Sequence, residues 1–309
     1  MTEDPDTLPT HEVLHPDSIA IFTTTYYPEW YPGKLQDHRE GNVDKIRGDL
    51  AIQTVMAARQ KGHQLVIIDG GSSADFCQML TDQGITPSPE RERGMSASRR
   101  QGMSEATNLQ GAEILCWVEP EKLSFVTGCL PIAAQPIAQG EADIVIPQRD
   151  EAAFGTYPDY QVVYEQRANR AWNKLLRIAG LRSDKDNDLD AWFGPRVLRN
   201  APEVVECFLG KYEVRPPEEI GEISETSARR YVKPELWPNS TFLPIITALH
   251  KGLRVVGQQV PYRHPAEQTQ SEQDSPAFIE KRKLQYFDIL VSTIHYIHLL
   301  QSNPRTILR

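Results

Sequence analysis

Within residues 18 to 147 four short apolar runs alternate with helical segments, and few folds accept that pattern. The runs are Ser18 to Thr25 (SIAIFTTT), Gln64 to Asp69 (QLVIID), Glu113 to Val118 (EILCWV) and Asp143 to Pro147 (DIVIP). Between them lie Asp44 to Lys61, Ala74 to Gln83, Ser96 to Leu109 and, with a proline interruption, Leu123 to Gln139. In the first of these helices Ile46, Leu50, Val55 and Ala58 share a face, and Gly62 is placed to end it. Apolar strands alternating with helices predict an α/β fold, a mostly parallel central sheet with helices on both faces.

The second half is less regular. Its pattern predicts a long helix over Tyr160 to Ile178, a short strand or turn over Asp190 to Val197, a helix over Ser240 to Lys251 and a strand over Leu253 to Val260. The polar stretch His264 to Ala277 reads as a mobile loop that closes over a ligand as a lid. Leu284 to Leu300 reads as a packed carboxy-terminal helix: Asp288, His295 and His298 make it too polar, and it is too short, for an integral membrane segment. Tyr286, Phe287, Leu290, Ile294 and Ile297 recur at helical spacing, which leaves peripheral membrane contact open. The organisation expected is a flexible arm over residues 1–17, one α/β domain over 18–280 with halves 18–150 and 151–280, and a terminal helix over 281–309.

With a formal net charge of -9 over 309 residues the chain is no general nucleic-acid binder, since affinity for a phosphate backbone comes from clustered lysine and arginine. Any phosphate it binds must be held locally. The four cysteines form no CxxC pair, so neither a zinc cage nor a disulfide framework is expected. The acidic, proline-containing amino terminus lacks the basic-then-apolar pattern of a secretory signal, and a cytoplasmic location is expected.

In parallel α/β sheets ligands bind beyond the carboxyl ends of the strands. The loops there are Thr25-Tyr26-Tyr27-Pro28-Glu29, Asp69-Gly70-Gly71-Ser72-Ser73 and Glu119-Pro120-Glu121. Two carboxylates at a strand end, with a proline stiffening the turn between them, can approach one hard cation that also binds diphosphate oxygens. A solvated strand end accounts for the same pair equally well.

The order of motifs resembles the GT-A glycosyltransferases, in particular the family-2-like group and the glucosyl- and mannosyl-glycerate synthases. Approximately residues 18 to 270 take part: IFTTTYYPE at the first strand and loop, IIDGGSSAD at the second turn, RGMSASRRQG at a helix start, Glu119-Pro120-Glu121 where those enzymes carry Asp-x-Asp, and VVGQQVPYRH further on. The resemblance implies transfer of a sugar from a nucleotide-diphosphate sugar donor to a small-molecule or glycan acceptor, with Mn2+ or Mg2+ as cofactor. It assigns Asp69, with Gly70, to the nucleoside, and Thr25, Tyr26, Tyr27 and Glu29 to the nucleotide. Arg93, Ser96 and Arg100 would lie near the sugar or diphosphate. Glu119 and Glu121 would take the metal and sugar roles, and His264 would complete the metal shell. The nucleotide-sugar half is then 18–150 and the acceptor half 151–280, and a homodimer is allowed.

The chain departs from that pattern in carrying Glu-x-Glu for Asp-x-Asp, Gly70 for a second acid in the turn, and no acid in Trp237-Pro238-Asn239-Ser240. An inverting transferase needs a carboxylate base for the acceptor hydroxyl. Asp190 and Glu235 are the candidates, and each is also readable as a turn or surface residue. Tyr157 to Arg170, with Trp192 and Phe193, is equally readable as an acceptor wall or as ordinary packing. Two other readings compete: a nucleotidyltransferase, weakened by an aromatic and acidic loop where a glycine-rich basic one belongs, and a catalytically silent GT-A nucleotide-binding domain.

Overall fold

A computed structural model describes residues 14–33, 42–212 and 239–302. Seven strands, β1 (Ile19–Thr25), β2 (Gln64–Asp69), β3 (Ser88–Pro89), β4 (Ile114–Trp117), β5 (Ile144–Arg149), β6 (Arg196–Arg199) and β7 (Val255–Val260), form one sheet in the order β3-β2-β1-β4-β6-β5-β7. All neighbours are parallel except β6, which runs antiparallel to both β4 and β5. Alternate residues feed opposite faces: Ala20, Phe22, Leu115, Trp117, Ile144 and Ile146 join one apolar cluster, and Ile19, Ile21, Cys116, Val118 and Val145 join another. Burial on both sides is why these strands read as unbroken apolar runs.

The helices are α1 (Val43–Gln60), α2 (Ala74–Asp82), α3 (Met95–Ala106), α4 (Leu130–Ala138), α5 (Glu151–Phe154), α6 (Asp159–Ile178), α7 (Pro202–Leu209), α8 (Asn239–His250), α9 (Ala266–Glu272) and α10 (Pro276–Ser302). Asn42 and Ser73 cap α1 and α2 by accepting from the backbone N–H groups of Lys45 and Phe76, and Gly62, at φ 85°, follows α1. The expected helix over Leu123 to Gln139 is broken instead by a single π turn, Phe125–Cys129, and both prolines, Pro131 and Pro136, lie in the α4 that follows. Helix α3 lies on β1 and β2, α4 covers β5, β6 and β7 on the other face, and α10 packs along α6 and α8. No helix among the described residues is long and apolar enough to cross a membrane.

The expected mobile loop from His264 to Ala277 is corrected. Residues Ala266–Glu272 are helical, and the next helix begins at Pro276 rather than near 281. The anchors are polar and invisible to a hydrophobic pattern: the Glu272 carboxylate is buried and accepts from Arg47 Nη2 at 2.6 Å, and Thr269 Oγ1 donates to the Thr156 carbonyl at 2.8 Å. Helix α7 and the strand pair at β3 were not anticipated, and β6 starts only at Arg196 because the preceding residues form a turn.

That turn is pinned by Arg149, the last residue of β5, which is 6% exposed. Its Nε and Nη2 donate to Asp190 Oδ2 and Oδ1, both at 2.8 Å, and its backbone N–H donates to Oδ2 at 3.1 Å. Its Nη1 donates to Glu165 Oε2 of α6 at 2.6 Å, while Asn169 Nδ2 donates to Asp190 Oδ1 at 2.6 Å. A buried ion pair stripped of one partner leaves a charge in a poor solvent. Asp190→Ala is therefore expected to lower unfolding free energy by about 3–5 kcal/mol, read from urea denaturation; an unchanged midpoint would remove Arg149 from the centre of this half.

Candidate functional site

Because β1, β2 and β4 are parallel and adjacent, the residues that follow them emerge at one end of the sheet. The end of β7 reaches that edge too, since Val260 is in register with Arg149 across the parallel β5 pair. Thr25 and Asp69 are in register, and the Thr25 hydroxyl donates to Asp69 Oδ1 at 2.8 Å. Asp69 Oδ2 accepts from the N–H groups of Gly71 and Ser72 at 3.0 and 2.9 Å. Asp69 thus folds its own turn, in which Gly71 takes φ 110°, a value that favours glycine. Ser72 Oγ in turn accepts from Tyr27 N at 2.9 Å, joining the first two loops.

The third loop meets the first through the Tyr27 hydroxyl, which donates to Glu121 Oε1 at 3.0 Å. Burial, and then the Glu121 charge, push that phenol well above its ordinary range, so it stays a donor. Tyr26 and Glu29 of the same loop are exposed. Arg93 is exposed, Arg100 half-buried, and Ser96, in the first turn of α3, is buried with its hydroxyl unpartnered.

Glu119 takes a different environment from Glu121. Its Oε2 is buried without a hydrogen-bond partner, and its carboxylate lies against Gly194, where an added Cβ would come 1.6 Å from Oε1. His264 is 7% exposed and stacks on Tyr157 with ring centroids 4.2 Å apart. Burial, then the nearby charges of Lys122, Arg282, Arg149 and Arg47, hold its pKa well below the usual imidazole value, so the ring is neutral at pH 7. Its backbone N–H donates to Thr156 Oγ1 at 2.9 Å, and its Nε2 is buried and unpartnered.

A neutral imidazole nitrogen and a carboxylate oxygen, both unspent, are of the kind that binds Mn2+ or Mg2+. Among the described residues no three His, Cys, Asp or Glu side chains form a cage by themselves. Such ions keep waters and phosphate oxygens as ligands and are commonly held by one or two protein groups, so the donor set fits one that is completed by substrate.

Asp190 does not fit the role of base. Burial opposes its charge, but Arg149 and the hydrogen bonds from Arg149 and Asn169 hold its carboxyl below the ordinary range, and both oxygens are engaged. Glu235 lies outside the described residues. Sequence reasoning missed three basic groups. Arg149 bonds Asp190 and Glu165. Arg99 stacks its guanidinium 4.5 Å from the Trp117 ring and donates to Ser240 Oγ at 3.1 Å. Lys122 follows the Glu-Pro-Glu turn directly, and only that adjacency could have marked it.

No protein-family model matches the sequence, nor does any curated protein. Solved structures do. Glucosyl-3-phosphoglycerate synthase from Mycobacterium tuberculosis, in complex with Mn2+, uridine diphosphate and glucosyl-3-phosphoglycerate, matches 91% of this chain and 80% of its own at TM-score 0.54 and 8% identity. Its complex with Mn2+, UDP-glucose and phosphoglyceric acid matches 91% and 79% at TM-score 0.53 and 9% identity. The chain has the GT-A fold. Within that fold the Glu-Pro-Glu turn, the Asp69 turn and His264 stand at the carboxyl end of the sheet.

The Glu119–Gly194 contact generates a test. Gly194→Ala is expected to cost about 1–3 kcal/mol, the range for overpacking, and close to nothing in a Glu119→Ala background, because the crowded atom is then gone. Equal costs in the two backgrounds, measured by urea denaturation, would show that the two residues do not touch.

Proposed function

We propose that the protein is a glycosyltransferase that passes a sugar from a nucleoside-diphosphate sugar to an acceptor hydroxyl, with Mn2+ or Mg2+ bound through Glu119, Glu121 and His264. The observation that carries this reading is the pair of unspent buried atoms, Glu119 Oε2 and His264 Nε2, beside strand ends of a GT-A sheet. Buried polar atoms without partners are rare, and those at a substrate-facing edge are accounted for by a ligand. The similar structures hold uridine nucleotide and Mn2+, which is the kind of ligand this donor set suits. When bound, such an ion neutralises charge on a diphosphate as the sugar leaves it.

The chain's own residues divide the remaining work. Tyr27 aims Glu121 through its hydroxyl, and Ser72 and Asp69 hold the loops against each other. Thr25, Tyr26, Glu29, Asp69 and Gly70 are the nucleotide side of the proposal, and Arg93, Ser96 and Arg100 the sugar-diphosphate side. With Asp190 spent on Arg149, Glu235 alone keeps the proposed role of acceptor base. A cytoplasmic enzyme with a small-molecule or glycan acceptor is the reading we adopt.

A screen of UDP-, GDP- and ADP-sugars for hydrolysis with Mn2+ or Mg2+ tests it directly. One donor is expected to turn over, and Glu121→Gln, which keeps an acceptor for the Tyr27 hydroxyl, is expected to slow that turnover by about a hundredfold or more without lowering the melting temperature. Nucleotide binding without turnover of any donor would support the silent-domain reading instead.

A further inference from the structure

The basic side chains around the Glu-Pro-Glu turn are nearly all spent. Arg149 is paired with Asp190 and Glu165, Arg47 with Glu272, and Arg282 with Glu165 at 3.2 Å. Arg196 gives its terminal N–H groups to the carbonyls of Ala191, Phe193, Gly194 and Pro195. Lys122 differs. Among the described residues no carboxylate lies within ion-pair reach of its ammonium and no acceptor takes a hydrogen bond from it.

Its ammonium is instead 5.3 Å from the ring centroids of both Phe193 and Tyr262. Phe193 belongs to the turn before β6 and Tyr262 follows β7, so the rings come from two elements that meet at the substrate end of the sheet. Aromatic faces attract a cation without supplying a hydrogen-bond acceptor, so they fix its position while leaving its three N–H donors unspent. The carboxylates of Glu119 and Glu121 favour the Lys122 charge from longer range, but neither takes a hydrogen bond from it, so its donors stay open to an anion. The Tyr157 hydroxyl, buried and unpartnered, adds a further unspent group beside this cluster.

We propose that Lys122 is the protein's cation for the diphosphate of the donor, donating to its phosphate oxygens, with Phe193 and Tyr262 as the two walls that hold the ammonium in place. This rests on the reading of the protein as a nucleoside-diphosphate-sugar transferase. It separates two contributions to the same leaving group: Glu121 and His264 act through an ion, whereas Lys122 acts by its own hydrogen bonds. An anionic group on the acceptor would be met by the same chemistry, and binding measured without acceptor distinguishes the two.

The test is calorimetry on the full chain with UDP, GDP and ADP and the matching free nucleosides, at saturating Mg2+ and without acceptor. For the diphosphate that binds, Lys122→Met is expected to weaken affinity about ten- to a hundredfold, the range for a charge-assisted hydrogen bond, and to leave the nucleoside's affinity unchanged. Lys122→Arg should restore most of the loss. An unchanged diphosphate affinity would overturn the proposal, as would an equal loss for diphosphate and nucleoside. Binding of none of the three diphosphates by the parent protein would overturn the transferase reading and this inference together.

Discussion

Arg149 is the contact on which the second half of the chain depends. It ends a strand whose parallel partner leads to His264, and it reaches the turn before the reversed strand and the long helix α6 at the same time. Its guanidinium also lies 4.4, 4.9 and 5.1 Å from the ring centroids of Phe154, Tyr157 and Phe193. Tyr157 then carries His264 on its face, and Phe193 walls Lys122. One buried charge therefore sets, through these rings, the positions of His264 and Lys122, with neither of which it pairs. The arrangement needs both Asp190 and Glu165, because a guanidinium buried this deeply must have its donors satisfied.

The reversal of β6 is what lets these residues meet. An antiparallel strand between β4 and β5 brings its own amino end, Arg196, to the edge where its neighbours end, pairing it with Trp117. The turn that feeds β6 thus faces the Glu-Pro-Glu loop, and Gly194 and Phe193 meet Glu119 and Lys122. His264 stays neutral there because burial and four cationic neighbours all disfavour a proton on it. A neutral imidazole can give its lone pair to an ion, whereas a protonated one cannot.

The sequence made the first half legible because its signals are local. Apolar runs buried on both faces, a capping Asn42 and Ser73, and Gly62 ending a helix are written within a few residues of where they act. Asp69 was placed correctly at a strand end facing the Thr25 loop for the same reason. The second half was harder because its contacts are polar and distant in the chain. Arg47 reaches Glu272 across 225 positions, and that ion pair, with Thr269 on Thr156, makes a helix of a stretch that has almost no apolar residue. Asp190 looked available as a base because nothing near it in sequence shows Arg149, 41 positions earlier, taking both its oxygens.

The Glu-Pro-Glu turn is the clearest case of two distant positions that must be read together. A glutamate reaches one methylene further than an aspartate, and at the end of β4 that extra length has to be absorbed somewhere. Glu119 absorbs it by running into the space beside Gly194, where an added Cβ would lie 1.6 Å from Oε1 and 2.1 Å from Cδ. Arg196 fixes the backbone on that side by donating to the carbonyls around the glycine, so the space does not close. An aspartate at 119 would draw back from this hollow and leave it unfilled, while any larger residue at 194 would push the glutamate out. The longer acid and the glycine are therefore one feature, while Glu121 is held toward the Tyr27 hydroxyl of the first loop.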